Sequence, residues 1–315
     1  MKSSGIGGQA LIEGVMMKNK EQYAVAVRKP DGEIEVTTNE YKGIAGKSRI
    51  FGLPFIRGVF NFIDSMVLGM KTLTYSASFF EEEEEKVLTE AEQKKQDKKE
   101  SVLMGFTVFL SIIIAVGVFM VLPLLLVNWL EKLGVSETWR STAEGILRIV
   151  IFFVYIVLIS RMNDIKRVFM YHGAEHKCIN CIEHGLELNV ENVRKSSKQH
   201  KRCGTSFILI VMIISVIMFI LVGMFFKIDT LLMRILSRVL LIPVIAGISY
   251  EFLRLAGRSD NPVVNFLSKP GLAFQRLTTK EPDDSMIEVA IKSVEAVFDW
   301  KAYLKENFDY KEVEE

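Results

Sequence analysis

The residues able to bind a metal or act as nucleophiles are concentrated in one window. All four histidines (His172, His176, His184, His200) and all three cysteines (Cys178, Cys181, Cys203) fall between positions 172 and 203 of a 315-residue chain. Within it, His172-Gly173-Ala174-Glu175-His176 reads H-x-x-E-H, the inverted order of the zincin motif. On a helix, histidines at i and i+4 present two imidazole nitrogens to one cation. A carboxylate beside a metal-bound water acts as general base, and the metal lowers that water's pKa to ~7. Glu175 is therefore the candidate catalytic residue, and zinc the expected ion.

Angular position decides which neighbours join. With His172 at zero and about 100° per residue, Glu175 falls near 300°, His176 near 40° and Glu183 near 20°. These four share one face, so Glu183 is a candidate ligand. His200 and Cys203, in His200-Lys201-Arg202-Cys203-Gly204, return just before the next apolar segment and complete the candidate set. Glu251 is a secondary candidate. Cys178 and Cys181 fall at about 240° and 180°, on the opposite side, which argues against their joining the histidines. Their C-x-x-C spacing has its own reading as a zinc knuckle or redox pair. His184 is read as a surface residue. The bland alternative is a chance motif, with two membrane-proximal histidines meeting lipid phosphates. The concentration of every His and Cys in one window favours metal.

The rest of the chain must position that window. Mean hydropathy is +0.25, high for a soluble domain, and 39 basic residues face 38 acidic ones, which excludes a global nucleic-acid footprint. An odd number of cysteines excludes a disulfide scaffold. Val102 to Leu130 and Ser206 to Phe226 hold no charged residue and are long enough to span a bilayer. Ile146 to Ser160 contains Arg148, and Leu231 to Leu253 contains Arg234, Arg238 and Glu251. Pairing gives four spans. Loop 163–204 carries eight Lys and Arg against two in 131–143, so the window and both termini are expected in the cytosol. Arg148, Arg234 and Arg238 are then expected to snorkel at the outer face.

The fold class is a mainly α membrane protein with four transmembrane helices. A small β-containing cytosolic module occupies residues 1–50, with a hairpin over Gln22 to Tyr41 turning at Lys29-Pro30-Asp31-Gly32. Residues 51–80 read as an interfacial amphipathic helix and 81–100 as a charged linker. The transmembrane region is 101–255, with its cytosolic loop at 163–204. The segment 256–315 is loop-like through Pro270-Gly271 and ends in an amphipathic helix capped by Asp283 or Asp284, running to about residue 306 and docked on the module. The glycines of Gly5-Ile6-Gly7-Gly8-Gln9-Ala10 match no nucleotide motif. Tight packing under the histidine loop is the favoured reading, and Gln9 and Glu13 would then reach the metal region.

GIGGQALIEGVMMK, GLPFIRGVFNF, YHGAEHK, HKRCGTSF and LTTKEPDD together resemble the bacterial YqhQ family over nearly the whole chain. That resemblance implies a predicted metal-dependent membrane enzyme with its site at His172, Glu175, His176 and the stretch His200 to Thr205. Three functions follow. The first is a metal-dependent hydrolase at the inner face of the bacterial cytoplasmic membrane. The second is a non-catalytic metal-binding sensor or assembly factor. The third is a transporter, disfavoured by an apolar midplane. The membrane bilayer is the expected partner and nucleic acid is not; a homo-oligomer is left open.

Overall fold

The strand composition of Gln22 to Tyr41 is realised as β3 (Gln22–Arg28) and β4 (Ile34–Glu40), paired in register from Gln22↔Glu40 to Arg28↔Ile34. The Lys29–Gly32 turn closes the hairpin, with Gly32 at φ 90°, which only glycine adopts freely. A computed structural model describes residues 2–46, 48–80, 90–226, 230–259, 261–308 and 310 of the chain. They divide into two units: Met1–Phe80 with Ile156–Ile214 and Pro243–Glu315, and Glu81–Tyr155 with Ser215–Ile242.

In the first unit two further strands, β1 (Gly7–Leu11) and β2 (Gly14–Asn19), extend the hairpin into an antiparallel meander of order β1-β2-β3-β4. Both faces of this sheet are covered. Tyr23, Val25 and Val27 join Leu11, Met16 and Leu68 on one face. Ala24 and Ala26 join Val15 and Met17 on the other, against Ile179, Ile182, Met286 and Val289. A strand buried on both sides reads as a continuous apolar run, as residues 23–27 do. Each large aliphatic side chain buried this way contributes about 1.5–3 kcal/mol.

Helix α1 (Ile56–Ser78) buries its small and polar positions, Gly58, Asp64, Gly69, Thr72 and Ser76, and exposes Phe62, Ile63, Met66 and Val67. An apolar stripe turned outward suits a lipid interface, as the sequence predicts. Of the charged tract 81–100, residues 81–89 lie outside the described residues; α2 (Glu90–Val116) begins at Glu90. A π-helical turn, Gly117–Val121, joins α2 to α3 (Leu122–Asn128). Then come α4 (Glu137–Ile159), α5 (Asn163–Glu183), α6 (Val190–Lys195), α7 (Gly204–Phe225) and α8 (Leu231–Ala256). Among the described residues four helical stretches are long and apolar enough to cross a membrane: Val102–Asn128, Trp139–Ile159, Gly204–Phe225 and Leu232–Ala256.

The C-terminal segment departs from expectation twice. Residues expected to be loop through Pro270-Gly271 form α9 (Pro262–Thr278), capped by the Asn261 side chain, with Pro270 inside it. Its amphipathic pattern outweighs the one hydrogen bond a proline removes. The final helix is two: α10 (Asp284–Glu295), capped by Asp283 as expected, and α11 (Trp300–Phe308), restarted by the Asp299 side chain accepting from Ala302 N–H at 2.9 Å. Docking on the sheet holds, with Ser293 Oγ donating to Ala24 O at 3.2 Å.

In the second unit the arginines do not snorkel. Arg148, Arg234 and Arg238 are only 4%, 6% and 5% exposed. Glu144 bridges two of them, accepting from Arg148 Nη2 at 2.9 Å and Arg238 Nη2 at 2.5 Å. Phe219 lies under both guanidiniums, 4.9 and 4.8 Å from its centroid. A cation buried among apolar helices is held by a counter-charge rather than by water. Removing one member of such a network leaves the others uncompensated. Glu144→Ala is therefore expected to cost about 3–5 kcal/mol, read as a lowered unfolding midpoint in detergent. A midpoint equal to wild type would refute the network's role.

Candidate metal centre

Helix α5 starts after Met162 and carries His172, Glu175, His176 and Glu183 as the spacing predicts. It ends at Glu183, and Gly185, φ 81°, is the left-handed residue that commonly follows a helix. The chain then returns through α6 to His200–Cys203, just ahead of α7. His172, His176 and Cys203 offer one ligand atom each, all within 4.8 Å of one another. His172 Nε2 is 3.2 Å from Cys203 Sγ, and the two imidazole rings are 4.4 Å apart.

The backbone fixes which nitrogen each ring presents. His172 Nδ1 lies 2.9 Å from the Thr278 carbonyl, and His176 Nδ1 lies 2.7 Å from the Lys198 carbonyl. A carbonyl oxygen only accepts, so each Nδ1 carries a proton and Nε2 is the nitrogen each ring has left for an ion. This is the support that orients metal-ligating histidines. Gly173 lets the segment after α9 come close enough: a Cβ there would sit 2.0 Å from the Lys280 carbonyl. Thr205 contacts the sulfur twice, its Oγ1 at 3.1 Å and its N–H at 3.4 Å.

His172 and Cys203 favour each other's charged forms. Burial opposes ionisation of the Cys203 thiol, but the His172 and His176 rings hold its pKa well below the ordinary thiol value. Burial likewise opposes a charged His172, yet the sulfur beside it raises its pKa to about 9. Glu175 is 5% exposed, and burial lifts its carboxyl above the usual range against the pull of both histidines. Its hydrogen bond comes from the Gly8 backbone. A Cβ on Gly8 would lie 2.9 Å from Glu175 Cγ, so the glycine-rich segment does pack under the histidine helix.

Glu183 and His200 form a second cluster. Glu183 is on the expected face of α5, but Arg202 Nη2 takes Oε1 at 2.5 Å and Ser4 donates to the same oxygen through N–H and Oγ, each at 2.7 Å. His200 Nε2 is 3.4 Å from Glu183 Oε2, and its ring is 5.7 Å from that of His176. This cluster lines up behind the trio and is not among its converging donors. Glu251 is held by Arg57, at 2.7 and 2.5 Å. Glu13 pairs with Arg167 and accepts from Tyr171 Oη at 3.2 Å, and Gln9 packs against Gly69 of α1. Cys178 and Cys181 are buried thiols in the core on the far side of α5, where burial raises both, Cys181 to about 11. His184 is exposed, as expected.

Sequence reasoning missed the supports: the Lys198 and Thr278 carbonyls, the Gly8 N–H, Arg202, and Gln275, which accepts from His200 N–H at 2.8 Å and donates to its carbonyl at 2.7 Å. Backbone groups carry no residue-type signal. Thr278 does lie inside the LTTKEPDD stretch and Arg202 inside HKRCGTSF, so those motifs were the available signal.

Fold and site define a helical protein with four membrane-competent helices and a His/His/Cys trio able to hold an ion. Residues 53–300 match the family described as "Protein of unknown function (DUF1385)". The chain is also 36% identical over 304 residues to "Uncharacterized protein YqhQ" of Bacillus subtilis (strain 168), covering 96% of this chain and 94% of that one. The chain therefore belongs to the DUF1385 family, the YqhQ family of the sequence motifs. No solved structure matches it.

The second cluster generates a pH prediction. Burial opposes the Glu183 carboxylate, but His200, Arg202 and Ser4 together hold its pKa at about 2, against 4.5 for a free carboxyl. A depressed carboxyl pKa stabilises the fold fully above the free value and loses that contribution as pH falls towards the folded one. Wild type is expected to lose stability between about pH 4.5 and pH 2, and Glu183→Gln to show a flatter loss there. Unfolding midpoints in detergent across that range check it; parallel curves would refute it.

Proposed function

We propose that this protein is a zinc-dependent hydrolase of the bacterial cytoplasmic membrane. It crosses the bilayer four times, with both termini and the metal centre on the cytosolic side. His172 Nε2, His176 Nε2 and Cys203 Sγ are the ligands. The observation that carries the reading is the pair of Nδ1–H bonds to backbone carbonyls, which leaves Nε2 of each ring as the nitrogen available to an ion, beside a sulfur held towards its thiolate. The donor set fits the ion: two imidazole nitrogens and a thiolate are zinc's preferred ligands. Three protein donors also match the open arrangement of catalytic sites better than the four of structural ones.

A divalent ion there supplies Lewis acidity towards a carbonyl or phosphoryl oxygen. The chain's own residues supply the rest. Glu175, its carboxyl raised by burial and steadied by the Gly8 N–H, takes a proton from the attacking water and returns it to the leaving group. Thr205, within reach of the sulfur, keeps Cys203 in place. A cavity of about 740 Å³, lined by Gly7, Gly8, Gln9, Lys18, Asn61 and Asp64 among others, includes Gly8, whose N–H meets Glu175, and gives room for the polar part of a substrate.

The 3.2 Å approach of His172 to Cys203 favours one rival, a metal-free thiolate–imidazolium nucleophile. Metal analysis of purified protein separates the two. About one zinc per chain is expected in wild type and in Glu175→Gln, and almost none in His172→Ala/His176→Ala. Glu175→Gln is further expected to lose function in cells while keeping its metal. Equal metal content in wild type and the double variant refutes the proposal. Metal-free wild type with Cys203 rapidly alkylated at neutral pH supports the rival.

A further inference from the structure

An apolar groove of about 590 Å³ opens between α7, α8 and α9, lined by Ile210, Ile213, Ile214, Phe252, Phe266 and Pro270 among others. Lys269 is the single charged residue in that lining, and its ammonium sits 5.5 Å over the Phe266 ring. The volume is that of a small-molecule site. Two of its walls, α7 and α8, are helices long and apolar enough to cross a membrane. The third, α9, turns Val263 and Phe266 outward, each 66% exposed. An apolar groove between such helices faces hydrocarbon, so its natural occupant is an acyl chain.

Helices α7 and α9 both lead to the metal centre. Gly204 opens α7 directly after Cys203, and the groove lies about 9–15 Å further along that helix at 1.5 Å per residue. Thr278, which holds His172, closes α9, and Pro270 lies about 12 Å back from it. Between groove and centre the helices touch: a Cβ on Gly271 would be 3.0 Å from Ser206 Cβ, and Gln275 Nε2 donates to Ser206 Oγ at 2.7 Å. The groove and the ligands thus lie along one α7–α9 seam, apolar at one end and metal-binding at the other.

We infer that the groove seats the acyl chain of the substrate, a membrane lipid whose polar group reaches the His172–His176–Cys203 centre. This rests on the hydrolase reading and specifies its substrate class. The seam gives a lipid its orientation, tail along Ile210–Ile214 and head towards Cys203. A water-soluble substrate would leave the groove without a role.

The test uses full-length protein in vesicles of phosphatidylethanolamine and phosphatidylglycerol, with a trace of phosphatidylethanolamine bearing a diazirine in one acyl chain. After illumination, labelled peptides are located by mass spectrometry, zinc per chain is measured, and the lipids of a parallel unlit sample are profiled. Label is expected to concentrate on the groove-lining peptides of α7 and α9. Ala273→Trp, which fills the groove from α9, is expected to cut that label and lipid turnover by roughly fivefold or more without changing zinc. Ile213→Trp, on the opposite wall, serves if the first variant fails to fold. Label spread evenly over the apolar helices, or unchanged by both tryptophans, overturns the groove. Groove labelling with no lipid consumed overturns the substrate assignment. Groove labelling in wild type that holds no zinc overturns the metal reading and leaves the lipid site standing.

Discussion

The centre depends on two hydrogen bonds from imidazole Nδ1 to main-chain carbonyls. Neither acceptor is in the helix that carries the histidines. Lys198 lies beyond the α5 helix, and Thr278 lies 106 residues after His172. Without them each ring would be free to flip or to change tautomer, and its Nε2 would not be committed to the sulfur. With them, three donors from two chain segments face one point. Much of the first unit can be understood as holding those carbonyls in place. Gln275 ties α9 to the His200 backbone, and Gly173 admits the Lys280 carbonyl where any side chain would block it.

The surrounding solvent inverts the usual rules for the helices. In α1 and α9 most buried positions are small or polar, Leu68 and Phe274 apart, and many exposed ones are large and apolar. That arrangement is costly in water and favourable against lipid. The same change of solvent explains Arg148 of α4 and Arg238 of α8. In a soluble protein they would seek water; here Glu144 and the Phe219 ring receive them instead. The apolar helices thus carry buried charges that neutralise one another locally.

Legibility followed the kind of signal each element carries. Charge-free runs announced the spans, and the 3.6-residue period placed His172, Glu175 and His176 on one face with Cys178 and Cys181 on the other. Cys203 was found because it is one of only three cysteines in the chain and lies beside His200. Strands β1 and β2 were hidden by glycines, which carry no strand signal yet are needed where Gly8 meets Glu175. Helix α9 was hidden by Pro270, because a proline argues against a helix unless tertiary packing overrides it. Glu183 was placed on the correct face, but angular position says nothing about competition, and Arg202 and Ser4 hold it.

The long separation between His172 and the carbonyl that orients it sets an order of events during synthesis. Translation delivers both histidines and Cys203 well before Thr278 exists, and helices α7 and α8 are made in between. A nascent chain therefore carries the thiol and both imidazoles without the Thr278 carbonyl until α9 is complete. The trio is oriented only once α9 is made, and a chain that stops after α8 has all three donors but no Thr278 carbonyl for His172.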